Sequence, residues 1–322
     1  MLNMQKSEYL ELYRKMYLIR RFEESCGENY SRGLIRGFLH LYTGEEAIAV
    51  GSISALREDD FVVTHYRDHG HAIARGLDPS ALMAELFGKR TGVSKGKGGS
   101  MHLFDAKKNF MGGHAIVGAQ LPLAAGFALA SQYRNQDTVT VVFFGDGATN
   151  QGTFHETMNL ASVWKLPILF FLENNFYGMG TRVENIRSNE KSFSNLADGY
   201  GIASSQVDGM DVLAVKETTE EAIKKIRQGQ GPCFIEATTF RFQGHSVADP
   251  AKYRSEKEVE EWKQKDPLIT FPKYLTSEGI ATQSEMNSII NDIDQILDAA
   301  IRFAHESPEP DLKELNNDIY AS

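Results

Sequence analysis

The chain has 322 residues, 42% of them hydrophobic, enough to bury a large core as one α/β domain or two smaller ones. Its 43 acidic residues outweigh 34 basic ones, and the formal net charge of -9 argues against a phosphate-tracking nucleic-acid surface and suits a metabolic enzyme. Cys26 and Cys233 stand far apart without a C-x-x-C partner, so neither a disulfide framework nor a zinc site is indicated.

The N-terminal stretch carries acidic groups and no long apolar run, so neither a secretion signal nor a membrane span is expected there, and a cytoplasmic location follows as an expectation. A helix is predicted from Ser7 to about Arg32, where Leu10, Tyr13, Tyr17 and Phe22 recur near the helical period. From Gly33 to Gly113 glycine, histidine and arginine are frequent, and SKGKGGSMHLF (94–104) reads as an ordered loop of the kind that carries function. GAQLPLAAGFALASQY (118–133) reads as a helix with Pro122 in its first turn. Its small residues Ala125, Gly126 and Ala130 permit close helix contact, at a subunit interface or in the core.

Residues 138–175 give the clearest organisation: TVTVVFF as a buried strand, TFHETMNLASVWK as a helix with Phe154, Met158 and Ala161 on one face, and PILFFLE as a second strand. A right-handed crossover makes these strands parallel and brings Asp146 and Asn175 out on one edge of the sheet. PCFIEATTF (232–240) is a further strand delivering RFQGHSVADP to that edge. After Arg254 the chain reads as helical, with Ser255–Glu258 and Thr282–Glu285 as capping boxes. Met286, Ile289, Ile293, Ile296, Ala300 and Phe303 then form an apolar stripe for core packing.

The segment FFGDGATNQG (143–152) sets Asp146 between Gly145 and Gly147 directly after a strand. The glycines let the backbone turn sharply and approach a bulky ligand, while Asp146 offers a carboxylate at the start of a helix. The next strand ends in ENNFYGMGT (173–181), where the Asn175 amide oxygen can join as a hard ligand to a cation already balanced by diphosphate.

GDG followed by NN resembles the diphosphate motif of thiamine-diphosphate enzymes. RRFEESCGENY, IRGFLHLYTGEEA, YRDHGHAIARG, GKGGSMHLF, IVGAQLPLAAG, WKLPILFFLENNFYGMGT, VDGMDVLAV and FQGHSVADPAKYR, in that order, extend the likeness over about residues 8–315. With these motifs the chain resembles the α subunits of the heterotetrameric pyruvate dehydrogenase first component, among the thiamine-diphosphate-dependent 2-oxo acid dehydrogenases.

The resemblance implies an α/β thiamine-diphosphate-binding fold with a mostly parallel central sheet and helices on both faces. The whole chain, 1–322, is then one domain: a helical lead (1–32), a cofactor-binding core (33–254) and a helical C-terminal region (255–322). By the same resemblance Asp146, Asn175 and the backbone carbonyl of Tyr177 ligate Mg²⁺, and Gly147 and Ala148 offer backbone N–H groups to the diphosphate. Tyr66 and Arg67 lie against the cofactor, with the guanidinium binding phosphate bidentately. Val117 supports the bent cofactor, and His40 and His245 occupy active-site positions.

His65, His69, His71, His102 and His114 have no convincing metal spacing and are assigned to loop hydrogen bonds. Some animal relatives carry an arginine where this chain has VENIRS, and Arg182 and Arg187 are possible substitutes. Ser246 matches a kinase-regulated serine of animal relatives and is read here as unmodified.

The activity implied is oxidative decarboxylation of pyruvate with reductive acetylation of a lipoyl group. That group is carried by a dihydrolipoyl acetyltransferase partner, because this chain has no lipoyl hairpin. A β subunit completes a heterotetramer and supplies the glutamate that activates the cofactor. Acetoin dehydrogenase and branched-chain 2-oxo acid dehydrogenase α subunits are the neighbouring alternatives, and a cofactor-binding scaffold is the alternative without turnover.

Overall fold

The computed structural model of the protein describes residues 4–186, 192–317 and 319–320. Among them, six segments pair side by side in one sheet: β1 (Phe61–His65), β2 (Phe110–His114), β3 (Thr140–Gly145), β4 (Ile168–Asn174), β7 (Ala203–Asp208) and β8 (Cys233–Thr238). Their order across the sheet is β2-β1-β3-β4-β8-β7, and each neighbouring pair is parallel. A two-residue antiparallel hairpin, β5 (Tyr177–Gly178) with β6 (Thr181–Arg182), follows β4.

Successive residues of a strand point to opposite faces, and here both faces are covered. Val141, Phe143, Leu169, Phe171 and Ile235 pack with α1 (Lys6–Ser31), α2 (Glu46–Ser54) and α8 (Val212–Arg227). Their neighbours Val142, Phe144, Phe170, Leu172 and Phe234 pack with α5 (Gln120–Tyr133), α6 (Gly152–Trp164) and α7 (Ser194–Asp198). This two-sided burial is why β3 and β4 read as continuous apolar runs. Phe154, Met158 and Ala161 face inward from α6, as their spacing predicts. The chain is completed by α3 (His69–Ala74), α4 (Pro79–Leu86), α9 (Glu256–Lys263), α10 (Pro267–Ser277) and α11 (Gln283–Glu306), which lies against α4 and α1.

The glycine-rich span 33–113 holds more regular structure than its composition suggests, namely α2, β1, α3, α4 and β2. In α2 every residue from Glu46 to Ile53 is buried, so no polar face marks its period. The loop 94–104 is irregular apart from a 3-10 turn at Gly99–Met101. Its order comes from Glu85 of α4, whose buried carboxylate accepts the N–H groups of Ser94, Gly96, Gly98 and Gly99.

In the C-terminal region Thr282 and Glu285 form the reciprocal capping box of α11. Ser255 caps α9, but the Glu258 carboxylate turns to the Tyr177 hydroxyl and Arg182. The α11 stripe is rotated from the one expected: Leu297 and Ala304 face inward beside Met286, Ile293 and Ala300, and Phe303 is exposed. Among the described residues no helix is long and apolar enough to cross a membrane.

From β1 the sequence continues to β2 on one side, while β3 lies on the other. In an open parallel sheet, that reversal opens a crevice outside the carboxyl ends of the strands.

Candidate active site

A cavity of about 910 Å³ lies at those carboxyl ends. Tyr66 and Arg67 enter it just after β1, and Val117 follows β2. Asp146, Gly147 and Ala148 follow β3, while Asn175 and Tyr177 follow β4. His245 comes from the segment after β8, and His40 from the stretch before α2. The sheet thus brings these positions together, all of them assigned to the site from the sequence.

Asp146 opens a short 3-10 turn, Asp146–Asn150, that leads into α6. Its carboxylate is 1% exposed and Oδ2 has no hydrogen-bond partner. Burial pushes its pKa up to about 7, so a carboxyl sits where a cation would relieve it. A methyl group added to Gly147 would meet the Gly178 α-carbon at 3.4 Å, so the turn and the β5–β6 hairpin approach backbone to backbone. The hairpin is held from outside by α9, where the Tyr177 hydroxyl donates to Glu258 Oε2 at 2.8 Å.

Two arginines face the cavity. Arg67 donates from Nη1 to the Leu41 carbonyl (2.7 Å) and from Nη2 to the His245 carbonyl (3.0 Å). The fork assigned to a phosphate is therefore engaged with backbone and holds the His245 segment in place. Arg241, 2% exposed, donates to the Tyr253 hydroxyl at 2.8 Å and has no carboxylate within ion-pair distance among the described residues. Burial, then the charge of Arg241, lowers the Arg67 pKa against the opposing pull of Glu45, so of the two arginines it is Arg241 that lacks a carboxylate partner among the described residues.

Arg182 does not enter the cavity. It pairs with Glu184 and Glu258, both at 3.0 Å, and Arg187 lies outside the described residues.

His40, Tyr66 and His245 form one ring cluster, with centroids 4.6 Å apart for His40–Tyr66, 5.1 Å for His40–His245 and 5.7 Å for Tyr66–His245. Burial first, and then the charge of Arg67, pushes the pKa of His40 down to about 2 and that of His245 to about 4. Both imidazoles are neutral at pH 7, and Nδ1 of each is buried without a partner.

Beneath the cluster lies a network the sequence reading divided among loops. Glu173 accepts from His65 Nε2 at 2.5 Å, His71 Nε2 at 3.0 Å and the Tyr42 hydroxyl. Burial alone would raise the Glu173 carboxyl, but His71 and His65 hold it well below its ordinary value. His65 Nδ1 in turn accepts the Arg67 N–H at 3.1 Å, so the network sets the strand end that carries Tyr66 and Arg67. His69 binds Glu23 at 2.8 Å in the core; His102 binds the Gly113 carbonyl as expected of a loop histidine, whereas His114, which binds the Met111 carbonyl, ends strand β2 rather than lying in a loop.

Residues 14–313 match the family described as Dehydrogenase E1 component. The chain belongs to the Dehydrogenase E1 component family. The pyruvate dehydrogenase E1 component subunit alpha of Rhizobium meliloti is 49% identical to it over 98% of this chain and 90% of the relative. The protein of the same name from Zymomonas mobilis is 46% identical over 98% and 89%, and that of Porphyra purpurea 44% over 99% and 95%.

Among the cavity residues not singled out from the sequence are the charged Glu45, Glu173 and Arg241. Arg241 follows β8 by three positions and reaches the same edge as Asp146, so strand-end logic applied to FRFQGHS could have found it. Glu45 sits in TGEEA, where nothing local separates a cavity-facing glutamate from its structural neighbour Glu46.

Proposed function

We propose that this chain is the α subunit of a cytoplasmic pyruvate dehydrogenase, holding the diphosphate and metal end of thiamine diphosphate in a site completed by a separate β subunit. The observation that carries the reading is Asp146: a buried carboxylate with a free Oδ2, opening a turn at the parallel sheet's edge and facing a cavity with an uncompensated arginine. The near-full-length likeness to pyruvate dehydrogenase α subunits supports pyruvate as the substrate.

The donors fit Mg²⁺, a hard cation that takes oxygen ligands: the Asp146 carboxylate, the Asn175 amide oxygen and the Tyr177 carbonyl would hold it. The N–H groups of Gly147 and Ala148 would meet the diphosphate, with Arg241 as the charged arm and Arg67 behind it. When bound, thiamine diphosphate supplies the carbanion chemistry that loss of CO₂ from a 2-oxo acid requires.

The chain's own residues then orient and seal. Val117, 40% exposed at the cavity mouth, gives apolar bulk for the cofactor to lie against. Neutral His40 and His245 hold or accept a proton at Nδ1 and bind polar groups of the substrate. Leu123, Leu129 and Tyr133 on α5, with Val163 and Trp164 on α6, are exposed apolar residues suited to burial between subunits of the heterotetramer. The product acetyl group passes to the lipoyl group of a dihydrolipoyl acetyltransferase.

Calorimetric titration of thiamine diphosphate with Mg²⁺ into the complex tests the site. Asp146→Ala is expected to abolish Mg²⁺-dependent binding while leaving the fold intact, because the anionic ligand is lost. Unchanged affinity in the variant contradicts the metal assignment.

A further inference from the structure

The geometry points to Glu45 as a positioning residue that fixes the carboxamide of Asn175 and ties it to Arg67. The inference rests on the metal reading above and names a residue that reading leaves without a role.

Local sequence places Glu45 firmly. Gly44 has φ +98°, and a Cβ there would lie 2.3 Å from the Phe240 carbonyl oxygen, so only glycine brings this turn against the segment after β8. The two glutamates that follow diverge. Glu46 binds Arg20 Nε (2.5 Å) and the Gly44 N–H (3.0 Å), an ion pair of the helix packing. Glu45, 1% exposed, points into the cavity.

There Glu45 Oε1 accepts from Asn175 Nδ2 at 2.9 Å, while Oε2 lies 3.6 Å from Arg67 Nε and has no hydrogen-bond partner. Asn175 Oδ1 accepts the Tyr177 N–H at 3.3 Å. An ionised carboxylate can only accept, and a backbone N–H can only donate. Flipping the Asn175 amide would therefore set oxygen against oxygen at Glu45 and N–H against N–H at Tyr177. Both contacts select one orientation, leaving a second lone pair of Oδ1 for the cation. The same carboxylate faces Arg67, so the metal side and the arginine side of the cavity share one support.

The test is Mg²⁺ affinity, measured by calorimetry on the complex with its β subunit at saturating thiamine diphosphate. Glu45→Ala is expected to weaken Mg²⁺ binding by about 10- to 100-fold, the usual range for a residue that orients a metal ligand. Asn175→Asp presses two carboxylates together and is expected to weaken binding by a similar factor. The swapped pair Glu45→Gln with Asn175→Asp restores a donor facing an acceptor and is expected to recover about tenfold or more over Asn175→Asp alone, a coupling that only contacting residues show.

A purely structural Glu45 would lower the melting temperature of Glu45→Ala, leave the Mg²⁺ affinity of the folded protein unchanged and gain nothing from the swap; that result overturns the inference. Asn175→Ala separates the two levels. If it leaves Mg²⁺ affinity intact, the metal reading itself fails and the inference with it. If it weakens Mg²⁺ while the swapped pair shows no recovery, only the role of Glu45 fails. Should Glu45→Ala not fold, the comparison of the swapped pair with Asn175→Asp still decides.

Discussion

Arg67 and Arg241, 3% and 2% exposed, line one cavity, and the charge of Arg241 is second only to burial in lowering the Arg67 pKa. Desolvated cations oppose folding unless an anion joins them, and of these two only Arg67 has one among the described residues, the Glu45 carboxylate at 3.6 Å. Arg241, left without a carboxylate, therefore separates binding from stability.

Arg241→Met is expected to move the two in opposite directions. Loss of a charge-assisted contact to the diphosphate, about 1.5–3 kcal/mol, weakens cofactor binding roughly 10- to 100-fold. The cofactor-free complex should melt at the same temperature or higher, because a buried charge without a carboxylate partner is gone. Calorimetry and thermal unfolding of one preparation check both signs; a parallel fall in stability and affinity would place Arg241 in the framework instead.

His245 sets a pH dependence whose direction can be worked out. Its ring is held neutral, with its pKa lowered to about 4 by burial and by Arg67 and Arg241, against the opposing pull of Asp249. Below its ordinary value of 6.5 the unfolded chain takes up a proton that the folded chain refuses, so stability falls as pH drops from 6.5 toward 4. His40 acts in the same direction. Partial exposure of His245 limits its share to about 1 kcal/mol. Between pH 7 and about 4, wild type should lose stability relative to His245→Gln, whatever their difference at pH 7; parallel melting curves would remove His245 from this effect.

The same residue bears on catalysis. His245 sits on a segment held by Arg67 and by the Asp249 carboxylate, which accepts its N–H at 2.7 Å. His245→Ala should depress acetyl transfer to the lipoyl group more than decarboxylation with an artificial electron acceptor, by about tenfold or more if it acts on the later step. Cofactor affinity should change little, since in the proposed site Asp146 and Arg241 would carry it. If both assays fall together in proportion to lost stability, His245 is a support of its loop.

What the sequence revealed follows from where each signal resides. The β3–α6–β4 unit was legible because both its strands are buried on two faces and its helix on one, so hydrophobic period and length agree. Asp146 and Asn175 were legible because they terminate those strands. β7 was not: its segment ASSQVD is an exposed or half-exposed edge with little apolar content, and only pairing with β8 makes it a strand. Glu173 was hidden within a strand run, and its bonds to His65 and His71 span more than a hundred residues. Those two histidines, read as loop residues, lie at the end of β1 and within α3, where a buried carboxylate fixes them. Arg182, in the hairpin after β4, and Arg241, after β8, show the same limit: only the completed sheet distinguishes the arginine paired on the surface from the one that faces the cavity.

This chain is expected to turn over pyruvate only as half of a shared site, which reconstitution decides. The chain is purified alone and with its β partner, supplied with thiamine diphosphate and Mg²⁺, and assayed for pyruvate decarboxylation with an artificial acceptor. Turnover is predicted for the two-chain complex, none for either chain alone, and none for the complex carrying Asp146→Ala. Full turnover by this chain alone, or an inactive complex with cofactor bound, would contradict the account.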